Sequence, residues 1–260
     1  MGHKTTIGGT AYEVKGGKTL IGGTGYSIKG GKTLIGGTGY GISFGTPLSS
    51  LAVGTSVYLN ESGSPVEYLI VHQGLPSNSY DSSCNGTWLL RKDTTATTAY
   101  YANGGTTYPF SSATARLNGT FLGTLDKAIQ NIIKQVKIPY CNLIHTGNVA
   151  SGADGFSTKV FLLSGAEMGH TYISLPQEGT ALSYFNGASN TIKSANKDGT
   201  TTKVKWWLRS VVKDGEGYVW AIVQNGSIDY FQWDESGTYD RPAFILPSET
   251  KVDENFNVIA

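Results

Sequence analysis

The chain has 260 residues, with 20 basic and 19 acidic side chains, 35 glycines, 15 tyrosines and 2 cysteines. So even a balance excludes electrostatic capture of nucleic acid or anionic membrane, and no run approaches the roughly 18 apolar residues a membrane span needs. Without a Cys-x-x-Cys pair or a His/Cys cluster, neither a metal site nor a cofactor is expected.

The first 45 residues repeat a phrase. Tyr12, Tyr26 and Tyr40 are fourteen apart, as are Ile7, Ile21 and Ile35, and Gly-Gly pairs fall between them. A Gly-Gly pair supplies the positive φ of a two-residue hairpin turn, so the repeat predicts an antiparallel meander of short strands. Such strands bury little surface alone, which points to attachment or oligomerisation. The opening MGHKTTIGG has no apolar core of a signal peptide, so export by that route is not expected. With no export signal, Cys84 and Cys141 are read as reduced thiols rather than one disulfide. TPLSSLAVGTS reads as a linker over residues 46–55, ahead of a domain spanning 56–260.

In that domain, strands are predicted at Ser56–Asn60, Val66–Gln73 and Thr87–Asp93, the first two joined by a Ser/Gly turn. SSATARLNGTFLGTL predicts a short helix with Leu117 and Phe121 on one side. TLDKAIQNIIKQVKIP predicts the main helix, capped by Asp126 and striped by Ile129, Ile132, Ile133 and Val136 before Pro139 ends it. Val160–Leu163 reads as a buried strand running into a capping box of Ser164 and Glu167.

YVWAIVQNGSIDYFQW carries the functional expectation. A two-residue turn at Asn225-Gly226 sets Trp220 opposite Phe231. Alternation then gathers Tyr218, Trp220, Ile222, Gln224, Asp229, Phe231 and Trp233 on one face, and Val219, Ala221, Val223, Ile228 and Tyr230 on the other. The first face has the composition of a recognition surface, extended by Asn225, Asp234 and Tyr239. The alternative, with the aromatic face as core, is disfavoured by the cost of burying Asp229 and Gln224.

KVFLLSGAEMG, WWLRS (Trp206 to Ser210), a hairpin and DRPAFIL (Asp240 to Leu246), in that order, resemble a C-type-lectin-like domain of phage and prophage tail-associated proteins from gut Gram-positive bacteria. The resemblance implies an α+β fold, with the glycine repeat as leader and the hairpin as the variable part. It matches Trp207, Leu208, Arg209, Arg241 and Pro242 to the scaffold, so both arginines are expected to pair with carboxylates or carbonyls. It implies a receptor-binding protein of the virion tail, made in the bacterial cytoplasm. The partners it implies are a host-cell surface protein or glycan, other virion proteins through residues 1–45, and further copies of the chain as a trimer. A structural tail or baseplate protein and a bacterial adhesin are the alternatives. The calcium-binding sugar motifs of lectins are missing. No enzyme is expected either, because no nucleophile elbow, phosphate loop or metalloprotease motif is present.

Overall fold

The computed structural model describes residues 45–260 apart from 96, 98 and 102–106, and six strands within residues 1–44 by their pairing. Those strands form three separate hairpins: Lys4–Ile7 with Thr10–Glu13, Lys18–Ile21 with Thr24–Ser27, and Gly31–Ile35 with Thr38–Ile42. The pairs Ile7↔Thr10, Ile21↔Thr24 and Ile35↔Thr38 leave two residues for each loop, as a Gly-Gly turn requires. The expected turns at 8–9, 16–17, 22–23 and 36–37 lie outside the described residues. Among the described residues the hairpins do not pair with one another, so the expected meander is seen there only as three two-stranded units.

The main strands of the domain are, in chain order, β1 (Ser56–Glu61), β2 (Ser64–Gly74), β3 (Gly86–Arg91), β4 (Val160–Phe161), β5 (Lys203–Val211), β6 (Tyr218–Ile222), β7 (Ile228–Gln232), β8 (Thr238–Tyr239) and β9 (Ala243–Leu246). One antiparallel sheet has the order β4-β9-β3-β2-β1. In the second, Ala195–Asn196, β5, β6 and β7 run antiparallel, and β8 joins β5 in parallel. A third sheet pairs Thr46–Pro47 with Lys251–Val252, which in turn pairs with Val258–Ile259. Segment 46–55, expected as a linker, therefore belongs to the folded body. Leu48 is fully buried, and its N–H donates to the Thr250 carbonyl.

Helix contributes no layer, and the expected α+β lectin-like class gives way to a β-rich domain. The predicted main helix stops early: α2 covers only Lys127–Ile132. Ile133 leaves the helical conformation at ψ 123°, the Lys134 N–H reaches the Ile245 carbonyl, and Val136–Ile138 pairs as a strand with Phe156–Thr158. The β-branched stripe that suggested a helix face is thus shared between a short helix and a strand. A longer helical run, α1 (residues 112–124), lies where the minor helix was expected, with Leu117 and Phe121 buried. Ser164 and Glu167 do form the reciprocal capping bonds at 3.0 Å, but they close a turn rather than begin a helix. No helix among the described residues is long and apolar enough to cross a membrane.

One hydrophobic core joins the two large sheets. β3 is buried along its whole length, and Trp88, Phe161, Trp206, Trp207 and Phe244 are solvent-free. Two guanidinium groups tie this core together. The five N–H groups of Arg209 meet five acceptors, namely Pro139 O, Leu162 O, Glu178 O and both oxygens of Glu167, the last pair at 2.6 and 2.7 Å. Arg241 donates to the carbonyls of Arg91, Lys92 and Lys193 and stacks over Trp206 at 4.9 Å. Both arginines therefore have the scaffold role expected of them. Burial raises the Glu178 carboxyl pKa, with Arg209 and a Ser210 hydroxyl bond opposing. Cys84 and Cys141 are free and buried, and burial pushes both thiols up to about 12.

Candidate functional site

The hairpin β6–β7 forms where the sequence placed it, but one residue out of register. Val223 N–H donates to Ser227 O at 2.9 Å and Gly226 N–H to Val223 O at 2.8 Å, which encloses the three residues 224–226. Gly226 has φ +81°, while Asn225 is not among the positive-φ residues, so this is a turn ending in a glycine bulge. Asn225 Oδ1 accepts from Ser227 N–H at 2.9 Å and holds the turn. A Cβ on Gly226 would lie 1.7 Å from the Asn190 carbonyl oxygen, on the short helix α3 (Asn190–Lys193). By contrast, the two-residue turn expected here occurs at Ser62-Gly63, where both residues have positive φ between paired Glu61 and Ser64.

A slip of one residue exchanges the faces of one strand relative to its neighbour. Trp220 therefore lies opposite Tyr230, Ala221 opposite Asp229, and Val219 opposite Phe231. Tyr218, Trp220 and Ile222 share a face with Ile228 and Tyr230. Asp229, Phe231 and Trp233 share the other with Val219 and Ala221. The single recognition face expected from the sequence is thus divided between two sides. Both sides of β6 are covered, since Val219, Ala221 and Ile222 are fully buried and Trp220 is 5 % exposed.

On the second side, Phe231 is half-buried beneath the Lys205 ammonium, 4.1 Å from its ring centre. Trp233 meets Tyr101 edge-on at 5.6 Å and lines a hollow of about 410 Å³ with Leu143, Ile144 and His145. Gln224, Asn225, Asp229 and Asp234 are exposed, and Asp229 accepts the N–H of Tyr230. Tyr239 lies in β8, away from the hairpin, in a cleft beside α1.

The first side carries a feature the sequence reading missed. Tyr172 stacks on Trp220 (5.7 Å, 18°), Tyr230 meets Trp220 edge-on (5.3 Å), and Tyr218 meets Tyr230 edge-on (5.6 Å). His170 extends the row by stacking on Tyr172 at 6.4 Å. The base of this ridge is fixed, because Trp220 is buried and its indole N–H points to Ser174 O at 3.4 Å. The crest is open: Tyr172 is 52 %, Tyr230 48 % and neighbouring Ile173 97 % exposed. Aromatic pairs of this geometry add about 0.5–1.5 kcal/mol each beyond their buried area, so the exposed rings are held in place before any ligand arrives. Burial, helped by Lys193, lowers the His170 pKa to about 4. The ring is neutral at pH 7, and its Nε2 accepts from the Lys193 ammonium at 3.3 Å. Alternation about a two-residue turn places Tyr230 on the aliphatic face, and the loop His170–Ser174 has no periodicity that would mark it.

A family model, the domain of unknown function DUF6273, matches residues 85–248. The match covers more than half of the chain, and the chain belongs to that family; every residue of the ridge lies within it. Neither curated proteins nor solved structures offer a match to this chain.

Proposed function

We propose that this protein is a recognition protein of the virion tail that binds a host-cell surface molecule through the aromatic ridge. The observation that carries the reading is the exposed crest of Tyr172, Ile173 and Tyr230 on an immobile Trp220. Rigid aromatic rings lose little conformational entropy on binding for the area they cover, which suits a recognition surface. Residues 1–45 attach the chain to other virion proteins and to further copies, with a trimer as the assembly. Clustering the chains would let a modest site hold a cell surface by avidity.

The test is the double variant Tyr172→Ala/Tyr230→Ala, at two positions exposed enough to leave the core intact. Fluorescently labelled chain is titrated onto gut Gram-positive cells, with oligomeric state followed by light scattering. Cell binding is expected to fall at least about tenfold with assembly unchanged, since anchor residues commonly contribute 2 kcal/mol or more. Loss of assembly with cell binding intact would instead make the ridge a subunit contact, as in a structural tail or baseplate protein.

A further inference from the structure

A second concave site lies on the far side of β5, distinct from the ridge. It is a cleft of about 600 Å³ between α1, the segment after β3 and β8, within the size range of small-molecule sites. Six charged side chains line it: Arg91, Arg116 and Lys197 against Glu61, Asp198 and Asp240. Three cations and three anions sum to zero.

The pairing within the cleft separates fixed groups from available ones. Arg91 uses all five N–H groups, two on Glu61, one on Asp198 and one each on the carbonyls of Asp93 and Thr94. It is only 2 % exposed and serves as a rigid wall. Arg116 grips Asp240 through two bonds of 3.0 and 3.1 Å and gives a third to Ala99 O. Two of its five N–H groups therefore remain for the cleft. Asp240 is 3 % exposed, with lone pairs beyond those Arg116 uses. Lys197 and Tyr239 also line the cleft, and among the described residues neither side chain makes a hydrogen bond or ion pair with the protein. The floor is apolar, formed by Leu117 and Phe121.

The helix that carries this floor is built for it. Leu117–Phe121 is a π turn, the kind of helical irregularity that often marks a functional site. Asn118 pins that turn from behind: its amide donates to Val160 O at 2.9 Å and accepts from Val160 N–H at 3.0 Å. Leu117, Thr120 and Phe121 then line the cleft together.

We propose that this cleft binds an uncharged polyhydroxyl ligand of the saccharide class. At the inner wall Arg91–Glu61 and Arg116–Asp240 are already matched, so a charged group entering beside them would take one member of a pair from its partner, which is costly. A hydroxyl avoids this, because it accepts from Arg116 or Lys197 and donates to Asp240 or Asp198 without changing the charge balance. The C–H face of a sugar ring meets the floor of Leu117 and Phe121. The inference does not rest on the ridge, and it adds a small-molecule site to a protein read as a surface binder.

Saturation-transfer NMR on the full chain tests it. The probes are methyl glucoside, methyl galactoside and N-acetylglucosamine, each beside its uronic acid or free amino sugar, at about 10 mM to reach weak affinities. At least one uncharged sugar is expected to receive saturation, and more strongly than its charged counterparts. Thr120→Trp, at an exposed rim position, fills the cleft and abolishes the signal at unchanged melting temperature. Lys197→Ala, also exposed, weakens it about threefold or more. Tyr172→Ala/Tyr230→Ala leaves it intact, so a failure of the ridge reading is seen separately. The proposal is overturned if no uncharged sugar responds, if charged counterparts bind as well, if the signal survives Thr120→Trp, or if only the ridge variant removes it.

Discussion

Arginine 209 offers the sharpest test of how the core is held. Its planar fork fills five acceptors, of which three are main-chain carbonyls and two are the oxygens of a carboxylate with no solvent exposure. Arg209→Lys keeps the charge but offers three donors on a single atom, so at least two buried acceptors lose their partner. An unpaired buried polar group costs about 1–3 kcal/mol, which puts the substitution at about 2–6 kcal/mol. Native domains are stable by only about 5–15 kcal/mol in total, so this is a large fraction. Urea unfolding followed by tryptophan fluorescence gives the measurement. At a slope of about 3 kcal/mol/M the midpoint is expected to fall by about 0.7–2 M, and Arg209→Met, which strands Glu167 without a counter-charge, by more still. A lysine variant whose midpoint stays within about 0.3 M at unchanged slope would refute the idea that the five-bond geometry, rather than charge alone, holds the sheets together.

Two further outcomes are expected. Burial raises the Asp240 carboxyl to about 6 despite Arg116, from an ordinary value of 3.8. Between those values the native state binds more protons than the unfolded chain, so stability falls as pH rises from about 4 to about 6, by roughly 2–3 kcal/mol. Asp240→Asn removes that slope, and identical urea midpoint profiles for the two proteins at pH 4.5 and 7 would contradict it. Gly226→Ala forces a Cβ onto the Asn190 carbonyl at positive φ. Thermal melts are expected to show a loss of at least about 2 kcal/mol, and an unchanged midpoint would mean the bulge does not seat against α3.

What could be read in advance were features whose chemistry is local. Ser164 and Glu167 satisfy each other's main-chain groups three residues apart, whatever surrounds them. Asn225-Gly226 did mark a turn, but the same dipeptide serves a two-residue loop and a three-residue loop with a bulge. The choice fell to a tertiary contact, the close approach of Gly226 to Asn190, which no hairpin rule contains. Much of the functional surface followed from that choice, because one residue of slip moved Tyr230 beside Trp220 and sent Phe231 to the opposite side. The helix over residues 126–136 failed for a related reason. Val136 found a strand partner in Thr158, more than twenty positions away. The cleft was illegible for the same cause, since Glu61, Arg91, Arg116 and Asp240 come from four separate segments.

The small sheet at the margin of the domain has a practical corollary. Thr46 lies directly across from Val252, so the two strands run side by side with their α-carbons roughly 5 Å apart. Beyond Val252 the polypeptide turns back, and Val258–Ile259 pairs on the other side of Lys251–Val252, so Pro47 and Ile259 flank Lys251 on the two outer strands. A block spanning residues 46–259 therefore has its two ends on strands about 10 Å apart, close enough to be spliced into a surface loop of an unrelated carrier.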